Sequence, residues 1–425
     1  MSERLFHLGV NAAVHAAIVA VAVLSLCGCP AGRDAPSPEV PLRLEGMPTI
    51  RVLVASGPGI RVATTGPYAI FADGREVVSS MDPLPEGILS RNGNLWTLHA
   101  AGYTARSVTI AAPSGGSPAG GRSWPVRVGS TAYRGSVAFQ PNPGGPRGIL
   151  AVNHVDLESY LAGVLPRELY ALWHIRAYQA LAVAARTYAL YEANHAGGRL
   201  YDLRDDQSSQ VYGGFSAETD KAWRAVRSTH GLVLAAGEQG RERVFRSHYS
   251  ACCGGTVNSV YVLYGPPVTQ GPLAGGQACT ECKRCPRFRW APVTVPKSVI
   301  HRALGRQYPQ AAALPGVERI EVVEELHGRP VWIDAVAPDG RKVRVRAEDL
   351  RLSLLRHGDG AARGLYSMNC RIRDDGENIV FDNGSGFGHG VGLCQWGTEA
   401  KARRGLTYQQ ILADYYPTAK LFRAY

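Results

Sequence analysis

One glutamate occupies a position from which it could deliver a proton. Glu168 lies in the segment Tyr160-Leu-Ala-Gly-Val-Leu-Pro-Arg-Glu-Leu169, with apolar residues on both sides. Such surroundings desolvate a carboxyl group and favour its protonated form, which raises its pKa. A protonated carboxyl is the general acid that glycosidic bond cleavage requires, because the departing oxygen takes up a proton. The structural alternative is a Glu in the first turn of a helix, where it satisfies free backbone amides.

An Ala-rich segment directly after this glutamate predicts a helix from about Ile175 to Asn194. Gln179 and Arg186 are seven residues apart and therefore share one face of that helix. The guanidinium of Arg186 is a rigid fork of donors that could hold a sugar substituent or orient Glu168. The alternative is an arginine paired with an internal carboxylate or with backbone carbonyls.

A glycine-rich histidine loop, Gly386-Phe-Gly-His-Gly-Val-Gly-Leu-Cys-Gln-Trp-Gly397, lies near the end of the chain. Glycine permits positive φ and close approach of the backbone to a ligand. His389 could hydrogen-bond a sugar or the acid, and Gln395 and Trp396 could line a cleft. A dinucleotide-binding loop is a poor match, because no strand-turn-helix unit with a later ribose-binding acid accompanies it. The structural alternative is a tight loop with a buried histidine.

Five of the nine cysteines fall into two short-spaced groups, Cys252-Cys253 and Cys279-x2-Cys282-x2-Cys285. Such grouping is typical of a tetrahedral zinc site, with disulfides or unmodified thiols as alternatives. Three or four thiolates leave little room for an activated water, so we expect a structural zinc.

The N-terminal residues predict export. Residues 11–26 form an apolar run that is short for a membrane-spanning helix. Leu26-Cys27-Gly28-Cys29 looks like a lipoprotein cleavage box with Cys29 as the lipidated residue. An ordinary secretory signal or an uncleaved anchor is the alternative, and each version places the rest of the chain outside the cytoplasm. We interpret residues 1–29 as a lipoprotein signal and residues 30–48 as a flexible tether.

Composition and pattern predict an α+β protein. With 45% hydrophobic and 19% charged residues, the chain of 425 residues is typical of a globular protein with room for two or three domains. Alternating apolar and polar runs predict a mostly β N-terminal domain over residues 49–140, and residues 148–425 would form a mixed domain. Thr407 and Gln410 fit a capping box that begins a helix near Tyr408.

The formal net charge of +11 favours an anionic partner. Because Lys and Arg are scattered and do not form the dense runs of a nucleic-acid arm, we expect an envelope polymer or a membrane surface and no nucleic acid.

The three motifs together resemble the SpoIID family. The resemblance rests on Tyr160-Leu-x-Gly-Val-x-Pro-x-Glu168, Gln179-Ala-x-Ala-Val-Ala-Ala-Arg-Thr-Tyr-Ala189 and Gly388-His-Gly-Val-Gly-x-x-Gln-x-Gly397, and it covers roughly residues 148–425. Asp206-Gln-Ser-Ser-Gln-Val-Tyr-Gly213 is similar to a further family segment, which adds Gln210 and Tyr212 as candidate cleft residues.

The resemblance implies an exported lytic transglycosylase that acts on peptidoglycan glycan strands. In that family the glutamate that matches Glu168 is the catalytic acid and then the base, and the arginine that matches Arg186 belongs to the same site. One carboxyl suffices, because its conjugate base takes the proton of the muramic acid C6 hydroxyl and a 1,6-anhydro ring closes. A hydrolase normally needs a second carboxylate, and four acidic residues are available for that role: Asp156, Glu158, Asp205 and Asp206.

Two further expectations follow from the resemblance. Relatives that share these motifs imply the alternative of a non-catalytic enhancer of a cell-wall amidase, which would be a partner protein. A subset of relatives binds zinc through similar cysteines, which implies Cys253, Cys279 and Cys282 as ligands here. The fourth ligand stays open among His248, Cys252 and Cys285.

Overall fold

The computed structural model describes residues 44–113, 124–143, 145, 147–265 and 271–425. Residues 1–43, which carry the predicted lipoprotein signal, Cys29 and most of the tether, lie outside the described residues. Two compact units are present. The first unit contains the described residues up to Tyr249 together with Gly271–Leu273 and Gly392–Tyr425, and the second unit contains the rest. Helices and sheets occur in both units, which confirms the α+β class.

The N-terminal part of the first unit is built from short strands in which buried residues are interspersed with partly exposed ones. These strands are β1 (Thr49–Gly57), β2 (Gly59–Thr64), β3 (Tyr68–Ala72), β4 (Arg75–Ser80), β5 (Gly87–Asn92), β6 (Leu95–Leu98), β7 (Ala101–Thr104), β8 (Val108–Ala111), β9 (Val126–Val128), β10 (Thr131–Tyr133), β11 (Ser136–Pro141) and β12 (Ile149–Asp156).

The helices follow from residue 157 onward. They are α1 (Leu157–Glu168), α2 (Ile175–Asn194), α3 (Asp220–Ser228), α4 (Tyr261–Tyr264), α5 (Lys297–Gln307), α6 (Pro309–Ala312), α7 (Ala347–His357), α8 (Gln395–Arg403) and α9 (Tyr408–Tyr415). Short 3₁₀ turns occur at Phe215–Ala217, Gly271–Leu273 and Thr280–Arg284. Within the described part of the chain, none of the helices combines the length and hydropathy needed to span a lipid bilayer.

The remaining strands are β13 (Leu203–Arg204), β14 (Leu232–Ala236), β15 (Arg243–Val244), β16 (Tyr249–Ser250), β17 (Val293–Pro296), β18 (Arg319–Leu326), β19 (Arg329–Val336), β20 (Lys342–Arg346), β21 (Arg371–Asp374), β22 (Asn378–Asp382), β23 (Leu393–Cys394) and β24 (Lys420–Arg423). In the second unit, the sheets β17-β22-β21 and β18-β19-β20 accompany a core that includes Ile300, Leu304, Leu350 and Phe381.

Strands β11 and β12, which precede and follow residue 144 in the chain, are paired with each other. Strand β11 pairs antiparallel with β12 from Ser136↔His154 to Pro141↔Ile149, and β12 also pairs with β1. The resulting sheet has the order β13-β1-β12-β11-β8-β3-β4. The predicted boundary between residues 140 and 148 therefore falls inside one sheet, and the N-terminal strands belong to the same unit as Glu168.

Helix α1 leads directly from this sheet to Glu168. Its N-cap is Asp156, whose side chain accepts a hydrogen bond of 2.8 Å from the backbone amide of Ser159. Glu168 is the last residue of the helix, so it does not cap a first turn as the structural alternative supposed. The predicted bounds of α2 and the capping box of Thr407 and Gln410 at the start of α9 are confirmed.

A buried ion pair joins α1 to α2. All three nitrogens of the Arg186 guanidinium donate hydrogen bonds. Nε and Nη2 donate to the two oxygens of Glu158 at 2.8 and 2.7 Å, and Nη1 donates to the carbonyl of Leu232 at 3.0 Å. The two side chains are 0% and 5% exposed. Glu158 also accepts hydrogen bonds from the amide of Gly231 and the hydroxyl of Tyr425. The pair therefore fixes α1 to its neighbours through charge-assisted hydrogen bonds.

The substitution Arg186→Met should lower the free energy of unfolding by about 3–5 kcal/mol, because Glu158 would remain as an uncompensated buried carboxylate. Adding Glu158→Gln should recover part of this loss, since a neutral amide needs no counter-charge. Denaturant unfolding monitored by circular dichroism measures the free energy of unfolding of the single and the double variant.

The control is Arg199→Met, because Arg199 is half exposed and lies 3.8 Å from Glu192. We expect this control to cost less than about 1 kcal/mol. Equal stability of Arg186→Met and the control would contradict the role assigned to the pair.

Candidate active site

The Glu168 carboxylate is held by two neutral donors. The backbone amide of Val211 donates to Oε1 at 2.9 Å, and Nε2 of Gln395, the first residue of α8, donates to Oε2 at 3.0 Å. The side chain is partly buried, and a limited part of it is accessible to solvent. Each oxygen keeps a further lone-pair direction, so the group can carry a proton and still meet an acceptor.

The environment raises the pKa of the Glu168 carboxyl above its ordinary value of 4.5. Burial is the largest cause, and the hydrogen bonds from Val211 and Gln395 lower the pKa without cancelling that effect. A carboxyl with a raised pKa keeps a larger protonated fraction near neutral pH. This is the state that a general acid needs before it transfers its proton.

Two tyrosines, Tyr160 and Tyr249, interact electrostatically with this carboxyl. The hydroxyl of Tyr160 donates to Oε1 of Gln210 at 3.0 Å, and Nε2 of Gln210 donates to the carbonyl of Ala185. Burial raises the pKa of Tyr249 far above its usual range, and the charges of Glu168 and Tyr160 add to this effect. Both hydroxyls therefore stay neutral. Sequence reasoning missed Tyr249, because the tyrosine belongs to none of the motifs and its place depends on the tertiary fold.

The motif glycine of α1 lets a distant segment approach Glu168. A Cβ atom at Gly163 would lie 2.6 Å from ring atom Cε2 of Tyr212 and 2.8 Å from the carbonyl oxygen of Gly214. Only glycine therefore permits this close packing. The contact seats the segment that carries Val211 against α1 and brings the amide of Val211 to the carboxylate.

The predicted substrate-binding residues have different places in the first unit. Gln395 contacts Glu168 directly. Gln210 and Tyr212 are buried, and the hydroxyl of Tyr212 donates to Oδ1 of Asn153 at 3.0 Å. Their segment thus reaches Glu168 through its backbone and not through these side chains.

The two helix α2 candidates have other partners. Arg186 is fully buried and paired with Glu158. This agrees with the alternative of an arginine paired with an internal carboxylate. Nε2 of Gln179 donates to the hydroxyl of Ser228 at 2.9 Å on α3. Both side chains therefore connect elements of the first unit.

His389 belongs to the second unit. Its Nδ1 accepts a hydrogen bond of 3.0 Å from the backbone amide of Val391. Gly386 has φ = 83°, and a Cβ atom there would lie 2.7 Å from the carbonyl oxygen of Cys252. The glycines of this loop therefore permit close backbone packing onto the cysteine segment, where Phe387 and Cys252 exchange backbone hydrogen bonds.

The other carboxylates considered from the sequence are largely engaged elsewhere. Asp156 caps α1, Glu158 pairs with Arg186, and Asp206 accepts from the amide of Ser208. Burial, together with the charge of Asp206, raises the pKa of Asp205 to about 6. Asp205 is therefore a second carboxyl group of the first unit whose pKa is raised.

Three cysteine thiols converge in the second unit. The Sγ atoms of Cys253, Cys279 and Cys282 lie within 4.8 Å of one another, and those of Cys253 and Cys282 are 3.7 Å apart. All three side chains are buried. No disulfide joins any pair of cysteines in the ranges that the structure describes. Cys252 and Cys285 do not belong to this group of thiols.

Comparisons with known proteins agree with the motifs. Residues 146–235 match the family model described as SpoIID, Stage II sporulation protein. An uncharacterised protein of Brachyspira hyodysenteriae is 29% identical over 286 residues, which are 67% of this chain and 70% of that protein. Stage II sporulation protein D of Bacillus subtilis is 28% identical over 293 residues, 64% of this chain and 76% of that protein.

A protein named amidase enhancer, also from Bacillus subtilis, is 26% identical over 298 residues, which are 61% of this chain and 40% of that protein. The segment that matches the family model contains Glu168 and its partner residue Val211. These findings confirm the resemblance that the motifs indicated: residues 146–235 match the SpoIID model, and the chain is similar to proteins of the SpoIID family.

Proposed function

We propose that this protein is a lytic transglycosylase that cleaves the bond between MurNAc and GlcNAc in peptidoglycan. The observation that carries the proposal is the Glu168 carboxyl, which is desolvated and accepts hydrogen bonds from neutral donors within a segment that matches the SpoIID family. Its raised pKa favours the protonated acid.

Glu168 would act twice in one turnover. The protonated carboxyl first gives its proton to the bridging oxygen, which leaves with the departing sugar as positive charge develops on the muramic ring. The carboxylate then takes the proton of the C6 hydroxyl, and the C6 oxygen closes the 1,6-anhydro ring. The amides of Val211 and Gln395 stabilise the carboxylate between these steps, because both donate hydrogen bonds to it.

The substitution Glu168→Gln should reduce the formation of anhydro-muramic ends by at least about 100-fold, because a general acid contributes 10²–10⁴-fold to the rate. Mass spectrometry of purified glycan strands, with and without their peptides, measures these ends. The control is Asp205→Asn, which removes the other carboxyl with a raised pKa and should leave the product unchanged.

Two outcomes would contradict the proposal. Equal cleavage by the wild type and Glu168→Gln would exclude Glu168 as the acid. Products with reducing ends that disappear in Asp205→Asn would instead indicate a hydrolase with two carboxyl groups.

The pH profile provides a second test. Because the acid must be protonated, kcat/KM should fall about tenfold per pH unit above the pKa of Glu168. Gln395→Leu removes a hydrogen bond that lowers this pKa, so the falling limb should move to higher pH. Asp205→Asn should leave the limb in place. A limb that stays fixed in Gln395→Leu, or moves to lower pH, would contradict the assignment.

The relative named amidase enhancer favours a second candidate function, a non-catalytic enhancer of a cell-wall amidase. In that case the wild type alone would release no anhydro-muramic ends from glycan. It would accelerate an added amidase, and Glu168→Gln would do so equally well. Glu168→Gln therefore distinguishes the two candidates: the variant loses activity if the protein is a transglycosylase and keeps its activity if the protein is an enhancer.

We propose that the protein acts outside the cytoplasm at the cell envelope, anchored to the membrane by a lipid on Cys29. The apolar segment and the cysteine box support this proposal. The names of the relatives, which refer to sporulation and to an amidase, are consistent with an envelope role.

We also infer a structural zinc ion held by Cys253, Cys279 and Cys282. Zinc binds thiolate sulfur at about 2.3 Å, so two sulfurs of one tetrahedral ion are about 3.8 Å apart. The separation of 3.7 Å between the Sγ atoms of Cys253 and Cys282 fits this value. The ion would tie the loop that follows β16 to the 3₁₀ turn that begins at Thr280.

A buried arginine supports negative charge at these cysteines. Arg329 is 2% exposed, and its Nη2 donates to the carbonyl of Cys253. Among the described residues no carboxylate forms an ion pair with it. Burial lowers the pKa of Arg329, and the negative charges that oppose this effect most strongly are those of Cys253, Glu348 and Cys252. A buried guanidinium without a counter-charge is costly. Three thiolates on a divalent ion leave one negative charge, which Arg329 would balance.

Purified protein should contain one zinc per chain, and a strong chelator should lower its thermal stability. Arg329→Met should weaken zinc binding by about 10–100-fold, as loss of an outer-shell partner does. Competition with a chromophoric chelator measures the affinity.

Arg351→Met is the matched control, because Arg351 is a buried arginine of the same unit that pairs with Glu348. It should leave the zinc affinity unchanged. Mass spectrometry that finds disulfides among Cys253, Cys279 and Cys282 in metal-free native protein would contradict the zinc site.

A further inference from the structure

Exposed apolar side chains follow Glu168 directly. The chain leaves α1 at Leu169 and reaches α2 through a short loop in which Tyr170 is 49% exposed and Leu172 is 88% exposed. Tyr170 forms a cluster with Trp173 and Trp396, with ring centroids 5.1–5.8 Å apart. We call Tyr170, Trp173 and Trp396 the aromatic cluster. Exposed apolar groups of this kind indicate a binding surface.

The loop that carries Tyr170 and Leu172 is fixed by hydrogen bonds to its backbone. The carbonyls of Tyr170, Leu172 and Trp173 accept from Tyr178 at 3.2 Å, Arg403 at 3.1 Å and Lys221 at 3.0 Å, respectively. The amide that follows, at His174, donates to Glu399 at 2.7 Å. These partners come from three different helices, α2, α3 and α8.

This anchoring has a consequence for binding. Residues Tyr170 and Leu172 are presented to solvent by a backbone whose conformation is already restricted. Binding of a ligand to them therefore costs less conformational entropy of the loop than binding to an unanchored loop would. Leu172 is largely exposed, so a ligand that covers it removes apolar surface from water, which favours binding.

Two members of the aromatic cluster are close in sequence to residues of the candidate site. Tyr170 lies two residues after Glu168, and Trp396 follows Gln395, which donates to the carboxyl. A ligand on the cluster is thus adjacent to the proton donor. The faces of a pyranose ring are rich in C–H groups, and its hydroxyl groups point mainly around the edge. Such a face packs well on an aromatic ring, as other apolar surfaces do.

We propose that the aromatic cluster, extended by Leu172, is a subsite that binds a sugar ring of the glycan strand next to the bond to be cleaved. The ring of Tyr170 contacts the C–H face of the sugar, while Trp173 and Trp396 support Tyr170 from behind. Leu172 contacts the apolar N-acetyl methyl group. This inference rests on the proposed function and specifies which part of the substrate the site holds.

Binding is measured in the Glu168→Gln background, so that cleavage does not disturb the measurement. The probes are peptide-free glycan strands in a sedimentation assay and a soluble chitin tetrasaccharide followed by tryptophan fluorescence. Tyr170→Ala should weaken binding of both probes by about 5–20-fold, the range expected for loss of one aromatic stacking partner. Tyr170→Phe should bind like the parent, because the ring is retained. Circular dichroism verifies that each variant is folded.

Leu172→Ala should weaken binding by about 3–10-fold, in keeping with the removal of a contacted apolar side chain. Its matched control is Ile88→Ala, because Ile88 is also an exposed aliphatic residue of the first unit, at 63% exposure. The control should bind as the parent does. In the otherwise wild-type enzyme, Tyr170→Ala should raise KM for glycan about 5–20-fold and change kcat by less than about threefold.

The outcomes separate this inference from the proposed function. Unchanged binding by folded Tyr170→Ala overturns the subsite, even if Glu168→Gln abolishes cleavage. Loss of binding in Tyr170→Ala supports the subsite, even if the wild type never releases anhydro-muramic ends. If Tyr170→Ala binds both probes normally but no longer stimulates an amidase, the surface docks a protein and the subsite is wrong.

Discussion

The buried pair of Arg186 and Glu158 is the interaction on which the first unit depends. Its two charges are removed from water, so each is stable only while the other remains in place. The pair connects the beginning of α1 to α2, to β14 and to the hydroxyl of Tyr425. Helix α1 is about 18 Å long at 1.5 Å per residue, and Glu168 is its last residue. Fixing one end of this helix therefore helps to fix the carboxyl at the other end.

The two glutamates of α1 show that buried carboxyl groups can differ in their chemistry. Burial tends to raise the pKa of Glu158, but the cationic Arg186 outweighs this effect and lowers it. Glu168 accepts hydrogen bonds from neutral donors, and burial raises its pKa although the charge of Arg167 acts in the opposite direction. One carboxylate is thereby held ionised as a structural anchor, whereas the other is left as a group that can give up and recover a proton. The difference lies in the partner residues and not in the residue type.

The candidate site combines parts that are far apart in the chain. Gln395 is 227 residues from Glu168, and Val211 is 43 residues away. Gly163 makes the nearer contact possible, because any side chain at this position would collide with Tyr212. The loop that carries Tyr170 is similarly held by residues of three helices. In the second unit, Arg329 is also a buried cation, and its Nη2 donates to the backbone carbonyl of Cys253.

The sequence by itself determined the features that follow local rules. It predicted the bounds of α2, because an Ala-rich run has high helix propensity, and the capping box of Thr407 and Gln410, because its residues lie within one turn. It also singled out Glu168 and Gln395. Only the tertiary structure decided that Arg186 serves Glu158, that β11 and β12 pair in one sheet, that Val211 contributes its backbone amide, and that Tyr170 and Trp396 meet. Those outcomes depend on which distant segments pack together, and the free energy of such packing is not encoded in the spacing of any single motif.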